Sequence, residues 1–216
     1  MSDHHTCWHD KRTIIDELNR NYPVYINLMA ETEHINALKK SISFIETDYK
    51  GREKLNIIDI GCGTAQISLL FDKTQWEYEG CDLAHILQYC AQKWHPENVY
   101  YPFEAENSHY HFLKNYDVVL MNAFIDVMEN PLIILDKVLS NAKKYAILHR
   151  QEISQTKPTY VTENPSYGGI TFHSIINKND FLRLLKEHNF EISINNNCGF
   201  NNWENKGDSI LLQKNG

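Results

Sequence analysis

The apolar run Leu55–Ile60, which ends at a glycine, is the feature that most constrains the fold of this chain. A short run of this kind is typical of a buried strand in a parallel sheet covered by helices. From this run to the C-terminus, strand and helix patterns alternate, which predicts helices on both faces of a parallel sheet. No helix pattern separates the last two strand candidates, 190–194 and 209–213, so we expect them to pair antiparallel at the sheet edge.

The remaining elements follow from apolar runs and helical spacing. Further strands are predicted at 76–81, 98–103, 116–121 and 145–148. Helices are predicted at 65–71, 85–94, 132–142 and 180–188, the last capped by Asn179 or Asp180, and also over 11–48 with a break at 21–23. The expected fold is therefore α/β, a doubly wound, mostly parallel seven-stranded sheet with an antiparallel C-terminal strand, preceded by N-terminal helices.

Composition narrows the class of protein. The 216 residues carry a formal net charge of -7, whereas a nucleic-acid-binding domain usually has a basic face. The five cysteines are an odd number and include no Cys-x-x-Cys pair, which favours a reducing compartment. No apolar segment suggests a signal peptide or a membrane span. We expect a soluble, cytoplasmic protein that does not bind membranes and whose substrate is a small molecule rather than nucleic acid.

Two glycines, Gly61 and Gly63, stand where the first predicted strand turns toward the following helix. Glycines there let the backbone approach a ligand closely, and the helix start offers unpaired N–H groups. A dinucleotide-binding turn needs a third glycine, but that position is Gln66. The chain also lacks the glycine and lysine pattern of a phosphate-binding loop.

The segment from Asp59 to Ala65 instead resembles motif I of class I (Rossmann-like) S-adenosylmethionine-dependent methyltransferases, with alanine in place of the last glycine. The second match is Asp82, at the end of the second predicted strand, where a carboxylate can accept hydrogen bonds from both hydroxyls of a ribose. This resemblance implies S-adenosylmethionine as cofactor and a methyltransferase domain over residues 51–216. By analogy with the family, residues 1–50 are expected to form a helical lid segment, with Trp8, Tyr22 and Tyr25 helping to cover the cofactor.

The resemblance also implies which residues bind the cofactor. Asp59 is expected to meet the ammonium group of its methionine part, and an acidic residue after the third strand, Glu104 before Glu106, its adenine. The predicted cofactor-binding residues are Asp59, Gly61, Cys62, Gly63, Asp82, Leu83, Glu104, Ala105, Asn122 and Ala123. Because Asn122 stands where metal-dependent relatives carry an aspartate, no metal is expected.

Residues after the fifth strand are candidates for the chemistry, because ligands of open α/β sheets bind beyond the carboxyl ends of strands. His149 is the first candidate for a general base and His173 the second, since a histidine titrates near neutral pH. A packing role is the alternative for each of them. The predicted substrate-binding residues are Arg150, Glu152, Tyr160 and Tyr167, the last two from a long insertion, 151–176.

The predicted substrate class rests on a proline motif that this sequence lacks. The Asn-Ala-Phe-Ile sequence at 122–125 lacks the prolines that methyltransferases of nucleobase amino groups show at this place. We therefore predict O-methylation of a small polar metabolite, either sugar-linked or specialised. Two alternatives remain open, namely an N-methyltransferase of an amine, peptide or nucleic acid, and a non-catalytic module that binds the cofactor.

Overall fold

The computed structural model describes residue 8 and residues 10–30, 32–51, 53–166, 169–197 and 207–216. Ten strands are present in these parts of the chain. They are β1 (Leu55–Ile60), β2 (Trp76–Asp82), β3 (Val99–Pro102), β4 (Val118–Asn122), β5 (Tyr145–Gln151), β6 (Ile153–Ser154), β7 (Tyr160–Ser166), β8 (Gly169–Asn177), β9 (Phe190–Asn197) and β10 (Asp208–Lys214). Seven of them form the main sheet, in the order β3-β2-β1-β4-β5-β10-β9.

The sheet confirms the predicted fold class. β1 pairs in parallel with β2 and β4, and β5 continues the parallel part beyond β4. β10 lies antiparallel to both β5 and β9, so the last two strands do pair as predicted and β9 forms the edge. The carboxyl ends of β1, β2, β4 and β5 therefore meet along one side of the sheet.

Helical elements connect the strands and precede them. The helices are α1 (Lys11–Leu28), α2 (Glu33–Asp48), α3 (Ala84–Ile86), α4 (Gln92–Trp94), α5 (Pro131–Asn141) and α6 (Lys178–Glu187). A π-helical turn, Leu87–Ala91, joins α3 to α4, and short 3-10 turns occupy Gln66–Leu70, His111–Asn115 and Ile125–Val127.

Two hydrophobic clusters cover the two faces of the sheet. Ile58 and Ile60 of β1 pack in a cluster with α5 and α6, whereas Leu55 and Ile57 pack in one with α2. Alternate residues of the strand thus point to opposite faces, and both are buried because helices cover both.

The predicted break at 21–23 is wrong, because α1 continues through Pro23 and ends at Leu28. A proline inside a helix loses one hydrogen bond and clashes with the preceding turn. Contacts on the same helix offset that cost. Tyr22 stacks on Trp94 with ring centroids 4.0 Å apart, and the Asn19 side chain bonds the carbonyl of Tyr89. The connection between the two helices falls at 29–32 instead.

Other boundaries also differ from prediction. The helix expected at 65–71 is only a 3-10 turn, preceded by Ala65 in the left-handed conformation (φ 59°). The cap of α6 is Asn177, whose side chain accepts from the Asn179 amide, so neither Asn179 nor Asp180 is the cap. The insertion 151–176 is structured, since β6, β8 and β7 form a second sheet. Within the described residues, every helix is too short or too polar to cross a membrane.

Candidate cofactor and acceptor site

A cavity of about 440 Å³ lies at the carboxyl ends of the parallel strands. Its floor is formed by the residues that follow β1, β2, β4 and β5, and residues at the join of α1 and α2 lie on its wall. Cavities of a few hundred Å³ suit small ligands and cofactors. The fold thus places a partly open cavity where open α/β sheets bind ligands.

The turn after β1 forms one end of the cavity. Gly61 and Gly63 both adopt left-handed backbone, with φ of 73° and 57°. A Cβ on Gly61 would lie 2.5 Å from Cδ2 of Phe124, whereas a Cβ on Gly63 would meet nothing within 4 Å. Gly61 is therefore required for packing, and Gly63 keeps a cradle open on the cavity side. Cys62, buried between them, also contacts the cavity.

Asp82 stands beside this turn at the end of β2. Its Oδ2 accepts a 2.8 Å hydrogen bond from the Gly63 amide, and its Oδ1 accepts one of 2.7 Å from the Leu83 amide. Burial raises the pKa of Asp82 to about 6, although these two amides oppose the shift. The carboxylate is thus fixed in orientation and faces the cavity, where its remaining lone pairs can accept from a ligand.

Asp59 is buried and is not among the residues that line the cavity. Its side chain is 1% exposed, and its Oδ2 accepts a 2.7 Å hydrogen bond from the Tyr78 hydroxyl. Its Oδ1 is buried with no hydrogen-bond partner among the described residues. Burial raises its pKa to about 7, opposed by the Tyr78 hydroxyl. Direct contact of Asp59 with a ligand stays a prediction.

The ends of β3 and β4 continue the wall. Glu104 and Ala105 follow β3 and contact the cavity, as does Glu106. Asn122 ends β4, and Ala123 turns into left-handed backbone (φ 49°) while its amide donates to the His149 carbonyl at 2.9 Å. Nine of the ten residues predicted from sequence to bind the cofactor therefore line one cavity, Asp59 being the exception.

At the end of β5, Arg150, predicted to bind the substrate, lines the cavity, whereas His149, predicted as the base, does not. Arg150 lines the cavity and has left-handed backbone (φ 67°). His149 is 1% exposed and lies behind the wall, where burial and then Arg150 and His34 lower the pKa of its imidazole. It is thus a neutral imidazole at neutral pH.

Among the described residues predicted in the insertion, Glu152, Tyr160 and His173 do not line the cavity. His173 Nε2 lies 3.7 Å from Glu152 Oε2. Tyr160 packs against Lys157, whose Nζ is 5.7 Å from its ring centroid, and Tyr167 lies outside the described residues. The residue of β8 that lines the cavity is Phe172, the neighbour of His173. Roles for these four predicted residues stay predictions.

Sequence reasoning missed two groups at this end of the cavity. His34 of α2 lines the cavity and its ring lies over that of His149, with centroids 5.9 Å apart. Asp126, in the turn after β4, has a buried Oδ1 without a hydrogen-bond partner in the described residues. Burial raises its pKa, while Arg150 and His173 oppose the shift. Nothing in the local sequence around either residue could have marked it, because long-range packing places it there.

Across the described ranges, no group of three or more histidine, cysteine or acidic side chains is arranged to hold a metal ion. That the protein uses no metal stays a prediction from the sequence.

Comparison with known proteins decides the family. A family model described as "Methyltransferase domain" matches residues 29–193, three quarters of the chain. The chain belongs to this methyltransferase family. No curated protein gives a significant sequence match.

Solved structures show the same fold. The methyltransferase resembles magnesium protoporphyrin IX methyltransferase from Synechocystis PCC 6803 with bound S-adenosylhomocysteine, at 12% identity and a TM-score of 0.61, over 85% of this chain and 84% of that one. It also resembles an amino pentose methyltransferase from Micromonospora echinaspora, at 9% identity and a TM-score of 0.58, over 90% and 96%. A methyltransferase from Methanosarcina mazei gives 18% identity and a TM-score of 0.57, over 79% and 96%.

The cofactor of the methyltransferase is S-adenosylmethionine, which supplies a methyl group activated by a sulfonium. The residues fit this group. Gly63 leaves open space above the turn, Asp82 offers a carboxylate at the edge of the cavity, and Asp59 has one oxygen still to be bonded.

Proposed function

We propose that this methyltransferase methylates a hydroxyl oxygen of a small polar metabolite. The observation that carries the proposal is the cavity at the carboxyl ends of the strands, whose two ends differ in chemistry. The glycine turn and Asp82 form one end, and His34 and Arg150 form the other.

The spacing of the strands supports this division. Asp82 ends β2 and Arg150 follows His149 in β5, and these strands are three steps apart in the sheet. Neighbouring strands lie about 4.8 Å apart, so the two ends are separated by about 14 Å. If the adenosine binds at the end of β2, the rest of the cofactor extends toward β4 and β5. The acceptor then has to meet the methyl group there.

The size of the cavity and the bulky side chains that line it support a small acceptor. Trp8, Tyr25 and Met29 from the N-terminal region and Phe172 from β8 stand around the cavity. A ligand that enters must fit among these side chains, which favours a metabolite over a folded macromolecule. The net charge of -7 argues in the same direction against nucleic acid.

The polar residues at the far end support a hydroxylated acceptor. Arg150 offers a planar set of donors, and Asn122 offers both donors and an acceptor. Two structural neighbours have sugar ligands or substrates in their names, the amino pentose methyltransferase and a protein domain crystallised with D-fucose. We therefore propose a sugar-linked or specialised metabolite, recognised by Arg150 and Asn122.

The remaining sequence predictions enter as parts of the proposal. The glycine turn, Cys62, Leu83, Ala105 and Ala123 would bind the cofactor by shape. Asp82 would bind its ribose, Asp59 its ammonium end and Glu104 its adenine. The segment 1–50 would act as a lid on the cavity, in the cytoplasm. The proposed roles of Glu152, Tyr160, Tyr167 and His173 are those of a second layer around the acceptor.

A radiolabel assay tests the proposal. The full-length protein is incubated with S-adenosylmethionine carrying a tritiated methyl group and with a panel of sugars, amino sugars and phenols. Each hydroxylated compound is paired with its O-methylated analogue, in which the hydroxyl is blocked. We expect label to enter at least one hydroxylated compound and not its blocked analogue.

Asp82→Ala serves as the cofactor-deficient control, and Asp16→Ala, on the exposed side of α1, as the matched control. Label that enters only amines would replace the proposal by the N-methyltransferase alternative. Tight cofactor binding with no transfer to any compound would favour the non-catalytic module.

A further inference from the structure

His34 is the imidazole that faces the cavity at its acceptor end. It sits two residues after Thr32, the residue that precedes α2, and its side chain forms part of the cavity wall. His149, predicted from sequence as the base, lies behind it with 1% exposure. A ligand in the cavity therefore meets the ring of His34 before that of His149.

Hydrogen bonds at the start of α2 determine which nitrogen of His34 carries the proton. The Thr32 hydroxyl donates to the Leu28 carbonyl at 3.0 Å, so its only proton is used. Thr32 Oγ1 also lies 3.0 Å from His34 Nδ1 and can only accept there. This arrangement favours the tautomer in which His34 Nδ1 is protonated and Nε2 carries the lone pair.

The surroundings keep this imidazole neutral. Burial lowers the pKa of His34 to about 4, and the guanidinium of Arg150 lowers it further in the same direction. The His149 ring that lies against it is also held neutral, by burial first and then by Arg150 and His34 itself. At physiological pH the lone pair on Nε2 is thus present in essentially all molecules.

From this arrangement we infer that His34 is the general base of the methyltransferase and accepts the acceptor's hydroxyl proton at Nε2. The inference rests on the proposed O-methylation. The acceptor oxygen bonds to the methyl carbon while the carbon–sulfur bond breaks, its electron pair stays on sulfur, and the hydroxyl proton passes to Nε2 and then to water.

A weak base suffices for this transfer. An oxygen that has gained a methyl group without losing its proton is a far stronger acid than imidazolium. Even an imidazole of low pKa takes the proton favourably, and a positioned base typically contributes a factor of about 10² to 10⁴. The hydrogen bond between Nδ1 and Thr32 Oγ1 orients the ring.

The first test reads the tautomer without any acceptor. Nitrogen-15 spectra of histidine-labelled protein with S-adenosylhomocysteine bound are compared with those of His34→Asn, which assigns the His34 signals. We expect a neutral ring protonated at Nδ1 at pH 7, and a mixture of tautomers in Thr32→Val. A ring protonated at Nε2, or an imidazolium, overturns the inference.

The second test measures single-turnover transfer to the hydroxylated compound identified by the radiolabel assay. His34→Asn keeps an amide donor close to the position of Nδ1 and removes Nε2. We expect its rate to fall by about 10² to 10⁴ while its affinity for S-adenosylhomocysteine stays within twofold. The residual rate should rise about tenfold per pH unit, because hydroxide has to replace the missing base.

His111→Asn, at an exposed site, is the matched control. A His34→Asn rate close to wild type overturns the role of His34 and leaves the proposed O-methylation intact. Loss of transfer in His149→Asn, with transfer kept in His34→Asn, would also overturn the role of His34 and leave the proposed O-methylation intact. Failure of the wild-type protein to methylate any hydroxyl is a different result, since it removes the proposed function itself.

Discussion

The two ends of the cavity are built in different ways. At the cofactor end, one turn and one neighbouring carboxylate supply the contacts, and Asp82 is bonded to the Gly63 amide within the same strand–turn–strand unit. At the acceptor end, the contacts come from three elements distant in sequence, with His34 from α2, Arg150 from β5 and Phe172 from β8.

This difference between local and long-range contacts determines which site residues can be predicted from the sequence. A short turn with two glycines and a following acidic strand end is a local pattern, because backbone conformation dictates the residue types. A cavity wall assembled by tertiary packing leaves no spacing to detect. The residues of the cofactor end could accordingly be predicted from the sequence, whereas at the acceptor end only Arg150 was predicted and His34 and Phe172 were not.

The largest expected effect is on the cofactor end. Asp82→Ala removes the acceptor for two backbone amides and, in our proposal, for the ribose hydroxyls. Each hydrogen bond to a charged group contributes about 1.5–3 kcal/mol, so we expect affinity for S-adenosylhomocysteine to fall by about 3 kcal/mol or more. Isothermal titration calorimetry measures this.

A second variant sharpens that comparison. Asp82→Asn keeps one oxygen acceptor and loses the charge, so its affinity should lie between those of the wild type and Asp82→Ala. Unchanged affinity in both would place the ribose elsewhere and remove the basis for dividing the cavity in this way.

The next effect concerns α1, which packs against the helical segment after β2. Pro23→Ala restores a hydrogen bond in the middle of α1, and proline is about 3 kcal/mol less favourable than alanine there. Part of this gain is offset because proline also restricts the unfolded chain. We expect the free energy of unfolding to rise by about 2 kcal/mol in urea titrations. A loss of stability would mean that α1 is distorted at Pro23 in a way that the contacts require.

A pH dependence of cofactor binding follows from the pKa of Asp82. Burial raises that pKa to about 6, so the acid is partly protonated near pH 6 and must lose its proton to serve as a charged acceptor. Affinity for S-adenosylhomocysteine should therefore be full above pH 7 and fall by about tenfold per unit below pH 6. The dependence should be weaker in Asp82→Asn. A wild-type affinity that is constant from pH 5 to 8 would contradict the role of the carboxylate.

The smallest effect concerns the third position of the turn. Ala65 adopts left-handed backbone, which costs a non-glycine residue about 1–2 kcal/mol, whereas its buried methyl group contributes about 0.8 kcal/mol. Ala65→Gly should therefore change the free energy of unfolding by less than about 1 kcal/mol, on the stabilising side. A clear loss in urea titrations would show that the methyl group contributes more to packing than the backbone strain costs.

Much of the fold could be predicted because its strands are short, apolar and bounded by turns. β1, β2, β5 and β10 lie within a few residues of the predicted ranges. The break at Pro23 was misplaced because the stacking of Tyr22 on Trp94 outweighs a local helix-breaking preference. His34 was missed for the same reason, since only the packing of α2 against β5 brings it beside His149.

A crystal structure of the protein with S-adenosylhomocysteine tests the two-ended cavity most directly. Our account predicts ribose hydroxyls about 3 Å from the Asp82 carboxylate and a sulfur directed toward His34 and Arg150. A ligand bound in the reverse direction, or outside this cavity, would contradict it.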